Sequence, residues 1–553
     1  MAISRRSVLS TGGVAGAALL AGTAGTAGVA AAAEAAPGAT ATTPPVASDP
    51  SSALLWQQPG RLGAPSVTGL HLQFGADASH EVVVSWLTPQ PVARPRVRYG
   101  TVEDGFGRSV DAETRHYRDG LSGVEVFVHH ARLTRLRPAT RYVYFASHDG
   151  AAPETGVFDT AQRGRHRFTF TSFGDQATAN LRKEVKLPPG TPSPNGPYPL
   201  HSGNNIGTQA SSDIVAAVER VAPLFNLVNG DLCYAGVAGI FGQDRVATWA
   251  DWFISNSRSA RFRPWMPCVG NHENEKGNGP LGASAYQAYF TTPDSGTDRE
   301  MKGLWYSFTA GSVRVISVAN CDVAIQDAGD SYIRGYSGGA QRAWLERELR
   351  TARADRDIDW IVVCMHQPFI SSTRSGNGSD LGVRDAWGPL FDQYGVDLVV
   401  SGHEHHYERS HPLRGRLPNE TRTPTPAATR QDVIDTSLGT VHMIIGGGGN
   451  FASSHNNLFD RPQGRVIVAR SDKDSPILPG HKDSVWVTED APWASVQDRE
   501  HPHGFAAFDV DPGDRKSGRT RINVTYYTFE GAHGALTPVD RFTLERPRTD
   551  THH

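Results

Sequence analysis

Five groups of oxygen- and nitrogen-bearing side chains each follow an apolar, strand-like run in the middle of the chain. They are Gly174-Asp175, Gly230-Asp231 with Tyr234, Gly270-Asn271-His272-Glu273, His366, and Gly402-His403-Glu404-His405. Each group alone has an ordinary explanation, because a Gly-Asp pair is a common turn and a histidine can be a hydrogen-bonded core residue or lie in a solvated loop. Five such groups at successive strand ends favour a metal site over coincidence.

Residues 229–234 (NGDLCY) form the most specific of these groups. Asp231 follows the apolar run 223–228, which predicts a buried strand. It therefore lies beyond a strand's carboxyl end, where open α/β sheets collect ligand-binding groups. Read alone, the stretch is a strand-ending Asx turn with an aromatic packed beneath it. Together with the other four groups, Asp231 and Tyr234 offer two hard oxygen ligands to one cation.

The elements that must position these groups alternate between strand-like and helical patterns from about residue 167. The predicted strands are 168–173, 224–228, 313–318, 360–365 and 397–400, and the predicted helices are 212–221, 248–257, 339–353 and 383–394. This alternation predicts an α/β domain with a largely buried sheet. After about residue 439 the pattern returns to strands, at 441–445, 504–510 and 522–527, and we expect these three to form a second sheet packed on the first.

Residues 65–160 have a different pattern, in which short alternating strands are separated by turn residues. This pattern predicts an antiparallel all-β sandwich. Segment 130–142 resembles the corner of a fibronectin type III domain, whose Leu-x-Pro-x-Thr-x-Tyr run it matches at Leu136, Pro138, Thr140 and Tyr142. The domain shows no concentration of ionisable groups, so we predict a structural or positioning role for it.

The N-terminus has the features of an export signal. Arg5 and Arg6 precede a Gly/Ala-rich, weakly apolar run, and Ala-rich cleavage options follow at 33–36. This resembles a bacterial twin-arginine signal, and the run is too poor in Leu, Ile and Phe to favour a membrane anchor. We predict that residues 1–36 are a signal peptide and 37–64 a Pro/Thr/Ala/Ser-rich linker. The mature protein, without a transmembrane segment, is expected to be secreted or in the cell envelope.

Length and composition bound the remaining possibilities. A chain of 553 residues with 38% hydrophobic and 20% charged residues predicts a globular protein of two or three units. The formal net charge of −3 gives no basic surface for nucleic acid. Four cysteines, at 233, 268, 321 and 364, are too few for a disulfide framework. We expect buried free thiols, although one or two bridges and the oligomeric state stay open.

The five groups together resemble the metal motifs of the calcineurin-like metallophosphoesterases, and within them those of the purple acid phosphatases. The family pattern Gly-Asp-x-Gly, Gly-Asp-x-x-Tyr, Gly-Asn-His-Asp/Glu, Val-x-x-His and Gly-His-x-His appears here as GDQA, GDLCY, GNHE, VCMH and GHEH. Only Ala177 departs from it, replacing the second glycine of the first motif. The resemblance implies an α/β (α+β) two-sheet sandwich flanked by helices at 167–546, with a short tail at 547–553, preceded by the fibronectin III-like domain.

The resemblance also implies a complete ligand set for two metals. It assigns Asp175, Tyr234 and His405 to one metal and Asn271, His366 and His403 to the other, with Asp231 bridging both. Phenolate and carboxylate oxygens suit Fe3+, whereas an amide oxygen and two imidazoles suit a divalent ion such as Zn2+, Fe2+ or Mn2+. Binding as phenolate, below the ordinary pKa of about 10 for tyrosine, requires a strong Lewis acid.

Three residues are the candidates for contact with substrate. Asn271 and His272 would face the phosphate, and His272 is assigned phosphate binding or proton donation, with a hydrogen bond to a metal ligand as the alternative. Many plant members of the family carry further histidines between the last two motifs, but residues 367–401 contain none. Arg374 is our candidate substitute for binding phosphate.

The implied reaction is hydrolysis of small phosphomonoesters, in which a metal-bound hydroxide attacks a metal-bridging phosphate. Asp231 and His272 are the candidate catalytic residues. A phosphodiesterase or nucleotide-cleaving enzyme with the same metals is the alternative, because the motifs describe the phosphoryl centre and not the leaving group. A non-catalytic envelope binding protein would be expected to lack ligands, and all are present. An insertion at 181–210 lies near the first two motifs, where we expect a rim or lid.

Overall fold

The computed structural model describes residues 63–178, 206–238, 245–327, 329, 331–475 and 481–551, together with two short strands at Lys183–Glu184 and His201–Ser202. The predicted signal peptide and nearly all of the predicted linker lie outside these residues. Most of the 181–210 insertion also lies outside them, so its expected role as a rim or lid stays a prediction. Within the described residues, no helix is long and apolar enough to cross a membrane.

The N-terminal domain consists of two antiparallel sheets of four strands each. The strands are β1 (Thr68–Phe74), β2 (Val82–Thr88), β3 (Arg96–Thr101), β4 (Gly105–Asp111), β5 (Glu113–Arg118), β6 (Glu125–Leu133), β7 (Arg141–Ser147) and β8 (Glu154–Asp159). Their orders are β1-β2-β6-β5 and β4-β3-β7-β8. Along β7, buried residues alternate with more exposed ones, as expected for a strand with one face on the core. The predicted all-β domain is therefore confirmed.

The corner segment of this domain is fixed by the tyrosine that the sequence pattern singled out. The hydroxyl of Tyr142 accepts a hydrogen bond of 2.8 Å from the backbone N–H of Arg137, five residues upstream. Leu136, the first residue of the same pattern, is buried in the core. A tyrosine hydroxyl bonded back to the preceding backbone is the tyrosine corner found in immunoglobulin-like sandwiches. It holds the crossing between the two sheets in one conformation.

The C-terminal domain contains two mixed sheets of seven strands each. The first comprises β9 (Phe168–Phe173), β12 (Phe225–Val228), β13 (Trp265–Pro267), β22 (Val433–Asp435), β27 (Phe505–Asp511), β28 (Arg519–Phe529) and β29 (Leu536–Pro547). The second comprises β14 (Tyr306–Ala310), β15 (Val313–Ser317), β16 (Trp360–Cys364), β18 (Leu398–Ser401), β19 (Tyr407–Ser410), β23 (Val441–Ile445) and β26 (Ala494–Gln497). Smaller sheets join β17 (Ser379–Asp380) to β24 (Gln463–Asp474) and β25 (Lys482–Asp490), β20 (Leu413–Arg416) to β21 (Pro424–Pro426), and β10 (Lys183–Glu184) to β11 (His201–Ser202).

Helices flank these sheets. They are α1 (Ala210–Glu219), α2 (Ala235–Ala238), α3 (Arg245–Ala260), α4 (Ser284–Tyr289), α5 (Ala340–Ala354) and α6 (Leu381–Tyr394). The four helices predicted from periodicity correspond to α1, α3, α5 and α6. The two ends of helix α6 are fixed by residues adjacent to it in the chain. The Asp380 carboxylate caps its start by accepting the N–H of Gly382 at 2.7 Å, and Gly395 ends it at φ 61°.

The strand partition between the two sheets differs from our expectation. We expected strands 441–445, 504–510 and 522–527 to form one second sheet. Instead, β23 pairs in parallel with β18, while β27 pairs antiparallel with β9 and is followed in the same sheet by β28. We also expected the strands before residue 439 to form a single sheet, and this was wrong. Strands β9 and β12 belong to one sheet, whereas β15, β16 and β18 belong to the other. Periodicity identifies a strand, but its partner is chosen by contacts distant in sequence.

The core lies between the two sheets. Phe170 of β9 stacks between Phe225 of β12 and Phe508 of β27, with ring centroids 5.2 and 4.6 Å away. Phe308 of the second sheet meets Phe225 edge-on at 5.3 Å, so aromatic rings join the sheets as well as the strands. The predicted two-sheet sandwich flanked by helices is thus confirmed.

All four cysteines are free and buried, as the sequence led us to expect. Cys233, between two of the predicted metal ligands, is part of the hydrophobic core. The thiol of Cys268 donates to the carbonyl of Val318 at 3.2 Å, which is an ordinary contact for a buried cysteine. The cysteines therefore contribute packing rather than cross-links.

The two domains pack against each other at several points, including β1 with α3, where the hydroxyl of Ser257 donates to the carbonyl of Leu70 at 2.8 Å. Leu72 in β1 forms a parallel bridge with Pro264, directly before β13. The imidazole of His130 on β6 bonds to the carbonyl of Ala288 in α4 at 2.9 Å. The N-terminal domain thus contacts the two elements on either side of residues 270–282, which carry one of the five candidate groups.

Candidate metal centre

The predicted ligands follow strands of both sheets, at their carboxyl ends. Asp175 follows β9, Asp231 and Tyr234 follow β12, and Asn271 follows β13 in the first sheet, while His366 follows β16 and His403 and His405 follow β18 in the second. The structure brings all seven side chains together, and all are buried. The site therefore lies where the ends of the two sheets meet, which neither sheet could build alone.

Three of the seven form one compact cluster. The hydroxyl of Tyr234 is 3.0 Å from Asp175 Oδ1 and 3.2 Å from His405 Nε2, and His405 Nε2 is 3.2 Å from Asp175 Oδ1. Two ligands that each lie about 2.1 Å from one ion, at about 90° to each other, are ~3.0 Å apart. The three distances between these atoms are therefore those expected for ligands of one metal ion.

The other four form a second cluster around His366. Its Nε2 lies 3.0 Å from Asn271 Oδ1, 3.1 Å from Asp231 Oδ2 and 3.2 Å from His403 Nδ1. The ligand atoms of Asp231, His366 and His403 all lie within 4.8 Å of one another. The two clusters adjoin, because the backbone N–H of His403 donates to Asp175 Oδ2 at 2.9 Å.

Each histidine is oriented by a hydrogen bond from the nitrogen that faces away from its cluster. His366 Nδ1 bonds to the carbonyl of Asn229 at 2.7 Å, His403 Nε2 to Gln326 Oε1 at 2.6 Å, and His405 Nδ1 to the carbonyl of Ala452 at 2.8 Å. Carbonyl and amide oxygens only accept hydrogen bonds, so these nitrogens carry the protons. The opposite nitrogen of each ring then presents its lone pair to the cluster, as in metal-binding histidines.

The second cluster therefore gathers acceptors that need a positive charge between them. Burial disfavours protonation of His366, but the carboxylates of Asp231 and Asp175 raise its pKa to about 10. A positive charge at this position is strongly favoured, and either a proton or a metal ion can supply it. The donor set, with one carboxylate, one amide oxygen and two imidazoles, fits a divalent metal ion.

The first cluster has a harder and more anionic donor set. Burial and the carboxylates of Asp175 and Asp231 raise the pKa of the Tyr234 phenol well above its ordinary value of 10.0. Tyr234 can therefore become a phenolate here only if a strongly charged cation compensates. Phenolate, carboxylate and imidazole together fit a trivalent ion.

Backbone strain is concentrated at the same residues. Asp175, Asp231, Tyr234 and His403 have φ values of 58°, 49°, 58° and 69°, in the left-handed region that non-glycine residues rarely adopt. Ala177, the one departure from the family motif, has φ 61°, which explains the glycine that the family carries there. Strained conformations of this kind cost of order 1–3 kcal/mol each and cluster at functional sites.

Glycines allow the ligand loops to approach each other closely. A Cβ on Gly402 would lie 2.4 Å from Asp175 Oδ2, and one on Gly270 would lie 2.2 Å from Asp231 Oδ1. Neither position has room for a side chain. The glycines that precede Asn271 and His403 are therefore required by contacts across the site.

His272 lies beside the ligand clusters, whereas Arg374 forms no hydrogen bond or ion pair with them among the described residues. The His272 side chain is 12% exposed, its Nε2 is 4.0 Å from Asp231 Oδ2, and its ring centroid is 4.7 Å from that of Tyr234. Arg374 is exposed on the loop after β16, and among the described residues its guanidinium has no hydrogen bond or ion pair with the seven predicted ligands. The same loop is tied to the site by Asn377, whose amide donates to the carbonyl of His403 at 2.7 Å.

Two residues that support the site were not assigned roles from the sequence. The Glu273 carboxylate accepts backbone N–H groups of Gly270, Asp231 and Leu232 at 2.8–2.9 Å, and so joins two of the ligand loops. Gln326 orients His403, as described above. Glu273 belongs to the GNHE motif and carried a signal, whereas Gln326 lies in an irregular segment whose sequence gives none.

Family models match both the N-terminal and the C-terminal domain of this chain. The family model for the purple acid phosphatase N-terminal domain matches residues 67–161, and the model for the calcineurin-like phosphoesterases matches residues 200–407. The chain is 56% identical to an uncharacterized protein of Mycobacterium tuberculosis, over 91% of this chain and 92% of that one. It is 25% identical to an Fe(3+)-Zn(2+) purple acid phosphatase of Arabidopsis thaliana, over 70% and 73% of the two chains.

The fold is also that of a solved structure. A purple acid phosphatase from yellow lupin (Lupinus luteus) seeds superposes with a TM-score of 0.60 at 19% identity, covering 88% of this chain and 75% of the lupin chain. Both of the expected domains, the five metal motifs and the two-sheet fold point to one family. The chain belongs to the purple acid phosphatases among the calcineurin-like metallophosphoesterases, and is a metal-dependent phosphoric ester hydrolase.

Proposed function

We propose that this enzyme hydrolyses small phosphomonoesters at a di-metal centre formed by the seven clustered side chains. The observation that carries the proposal is the pair of adjoining clusters whose potential ligand atoms lie 3.0–3.2 Å apart. Asp231 would bridge the two ions, Asp175, Tyr234 and His405 would complete one site, and Asn271, His366 and His403 the other. When bound, the metals would supply Lewis-acid charge for the phosphoryl oxygens and an activated water as nucleophile.

The donor chemistry supports Fe3+ at the tyrosine-containing site and a divalent ion, Zn2+, Fe2+ or Mn2+, at the other. The name of the Arabidopsis relative, which pairs Fe3+ with Zn2+, is in accord with this division. The high pKa of the buried Tyr234 phenol supports it further, because only a strong Lewis acid would displace that proton.

Residues at the edge of the clusters would handle the substrate. For His272, support comes from its partial exposure and its Nε2 4.0 Å from Asp231 Oδ2, which allow it to donate a hydrogen bond to a phosphoryl oxygen or a proton to the leaving oxygen. The amide of Asn271 would contact the same phosphate. Arg374 has an exposed guanidinium on a loop that Asn377 ties to His403, and it would bind substrate anions from the rim.

We also propose that the protein is exported. Arg5 and Arg6 before a Gly/Ala-rich run support a twin-arginine signal at residues 1–36. The mature chain would then consist of the linker at 37–64, the fibronectin III-like domain at 65–160, the catalytic domain at 167–546 and the tail at 547–553. Export in the folded state suits a protein that acquires its metals in the cytoplasm.

The metal at Tyr234 can be tested spectroscopically. Phenolate bound to Fe3+ gives a visible charge-transfer band, so the Tyr234→Phe variant is expected to lose that band. The control is Tyr286→Phe, which removes a buried hydroxyl bonded to the carbonyl of Pro267 and should keep the band. Iron content and the visible spectrum are measured on the same samples. A native protein that contains iron but shows no visible band would contradict the assignment.

If Asp231 bridges the two metals, its substitution is expected to weaken metal binding at both sites. Asp231→Asn is expected to bind neither metal at full occupancy and to lose nearly all activity, since an amide is neutral and a poorer bridge. Elemental analysis reports the occupancy. Asp322→Asn, at a buried carboxylate that accepts hydrogen bonds from Ser337, is the matched control. Full metal content in Asp231→Asn would show that Asp231 is not the bridge.

The hydrogen bond from His403 to Gln326 predicts a selective effect on the divalent ion. Gln326→Leu should lower affinity for that ion about 10- to 100-fold, because His403 loses the partner that fixes its tautomer. Metal content is measured after dialysis against graded chelator concentrations. Gln367→Leu is the control, since this buried glutamine follows a ligand directly but bonds to Cys321 instead. Equal metal retention by both variants would rule out the orienting role.

The choice of phosphomonoester over phosphodiester has its own test. Turnover of an aryl monophosphate is expected to exceed that of a bis-aryl phosphodiester. Asp231→Asn should abolish the turnover of both substrates, which establishes that one centre is responsible. Faster cleavage of the diester would favour the phosphodiesterase alternative.

A further inference from the structure

The turn between β5 and β6 of the N-terminal domain reaches into the C-terminal domain. This hairpin tip (residues 117–122) is held in shape by Asp119, whose Oδ2 accepts the backbone N–H of Ser122 at 2.7 Å and its hydroxyl at 2.8 Å. The Asp119 side chain is buried. Its other oxygen, Oδ1, accepts the hydroxyl of Tyr117 at 3.0 Å and faces the neighbouring domain.

A buried ion pair fastens the hairpin tip. Asp119 Oδ1 lies 2.6 Å from Arg245 Nη2 at the start of α3, and both side chains are at most 1% exposed. The same guanidinium donates to the carbonyl of Lys276 at 3.0 Å. Arg245 therefore joins the hairpin tip to the segment of residues 271–278, which we call the ligand segment because it begins with Asn271 and His272.

Direct contacts between the hairpin tip and the ligand segment surround this pair. Asn278 Oδ1 accepts the backbone N–H of Gly120 at 2.9 Å, and Asn278 Nδ2 donates to the hydroxyl of Tyr117 at 2.7 Å. The two backbones also touch, because a Cβ on Gly120 would lie 2.1 Å from the carbonyl oxygen of Gly277. The hairpin tip thus determines where residues 276–278 can lie.

Only a few residues separate these contacts from the metal centre. The 3-10 turn Asn271–Glu273 is followed by Asn274, whose N–H bonds back to the carbonyl of Asn271 at 3.3 Å. Glu275 then pairs with Gly282 through a backbone bond of 2.9 Å and accepts the indole N–H of Trp249 at 2.8 Å. A displacement at residue 277 would therefore act on Asn271 and His272 through a short, hydrogen-bonded turn.

We propose that the N-terminal domain positions the divalent-metal and substrate side of the active site, with Asp119 and Gly120 as positioning residues. The inference rests on the proposed function, because it requires Asn271 to be a metal ligand. A buried ion pair often adds no net stability over apolar residues of the same volume, so stability alone does not explain the pair of Asp119 and Arg245. The pair lies between the hairpin tip and the ligand segment. This position fits a role in placing the ligand segment better than a role in holding the two domains together.

The sharpest test is Gly120→Ala in the full-length, metal-loaded protein. The added methyl group pushes on the backbone at Gly277 without removing a charge. We expect the divalent ion to be released to a chelator about tenfold faster, and kcat to fall more than KM rises. The iron should stay bound with its visible band unchanged, since Asp175, Tyr234 and His405 lie outside the ligand segment.

A second hairpin-tip variant and a matched control variant complete the test. Asp119→Asn removes the charge that holds Arg245 and should also lose the divalent ion first. Glu154→Gln removes another ion pair between the domains, Glu154 with Arg261 at 2.7 Å, away from the ligand segment, and should behave as the wild type. Wild-type metal release in both hairpin-tip variants would overturn the proposal. So would equal loss of both metals with a lowered unfolding temperature.

Failure of the positioning role can be distinguished from failure of the proposed function. If the wild-type protein binds no metals or hydrolyses no phosphate ester, the proposed function fails. If the wild type binds two metals and is active, the variants alone decide whether the hairpin tip positions the ligand segment.

Discussion

The structure depends on one electrostatic constraint, which is the convergence of buried carboxylate, amide and imidazole acceptors at separations of 3.0–3.2 Å. Burying such groups together is unfavourable unless a positive charge lies among them. Burial opposes protonation of His366, yet the carboxylates of Asp231 and Asp175 raise its pKa to about 10, so a positive charge is favoured at this position. A pair of metal ions satisfies the same demand and adds the Lewis acidity that phosphate ester hydrolysis needs.

Much of the architecture around the site serves this convergence. Strand ends from two sheets deliver the seven side chains, and four of these residues accept a left-handed backbone to do so. Gly270 and Gly402 leave the space that the ligand loops need. Carbonyl and amide oxygens orient the three imidazoles. Strain of this size persists only where surrounding contacts over-determine the conformation, and here the packed sandwich provides them.

If the hairpin tip positions the ligand segment, the all-β domain and the catalytic domain form one functional unit. The hairpin tip meets the ligand segment through a buried arginine and a direct backbone contact. The phosphoryl centre is common to enzymes with different leaving groups, so selectivity must arise from the rim. The proposed contacts at that rim are Arg374, exposed on the loop after β16, and His272, which is 12% exposed beside Asp231.

The sequence by itself determined the apolar strands that precede the ligands, the four main helices and the seven predicted ligands, but not long strands such as β24, β25 and β29. Glycine-flanked aspartate, asparagine and histidine at strand ends are local signals, and α6 is capped by residues adjacent to it in the chain. Tertiary structure alone decided that the ligands come from two sheets, since β27 and β23 choose partners far away in sequence. Tertiary structure also determined that Gln326 is the hydrogen-bond partner of His403 and that Asp119 is the ion-pair partner of Arg245. Neither pair has a sequence pattern, because each contact exists only after distant segments have packed together.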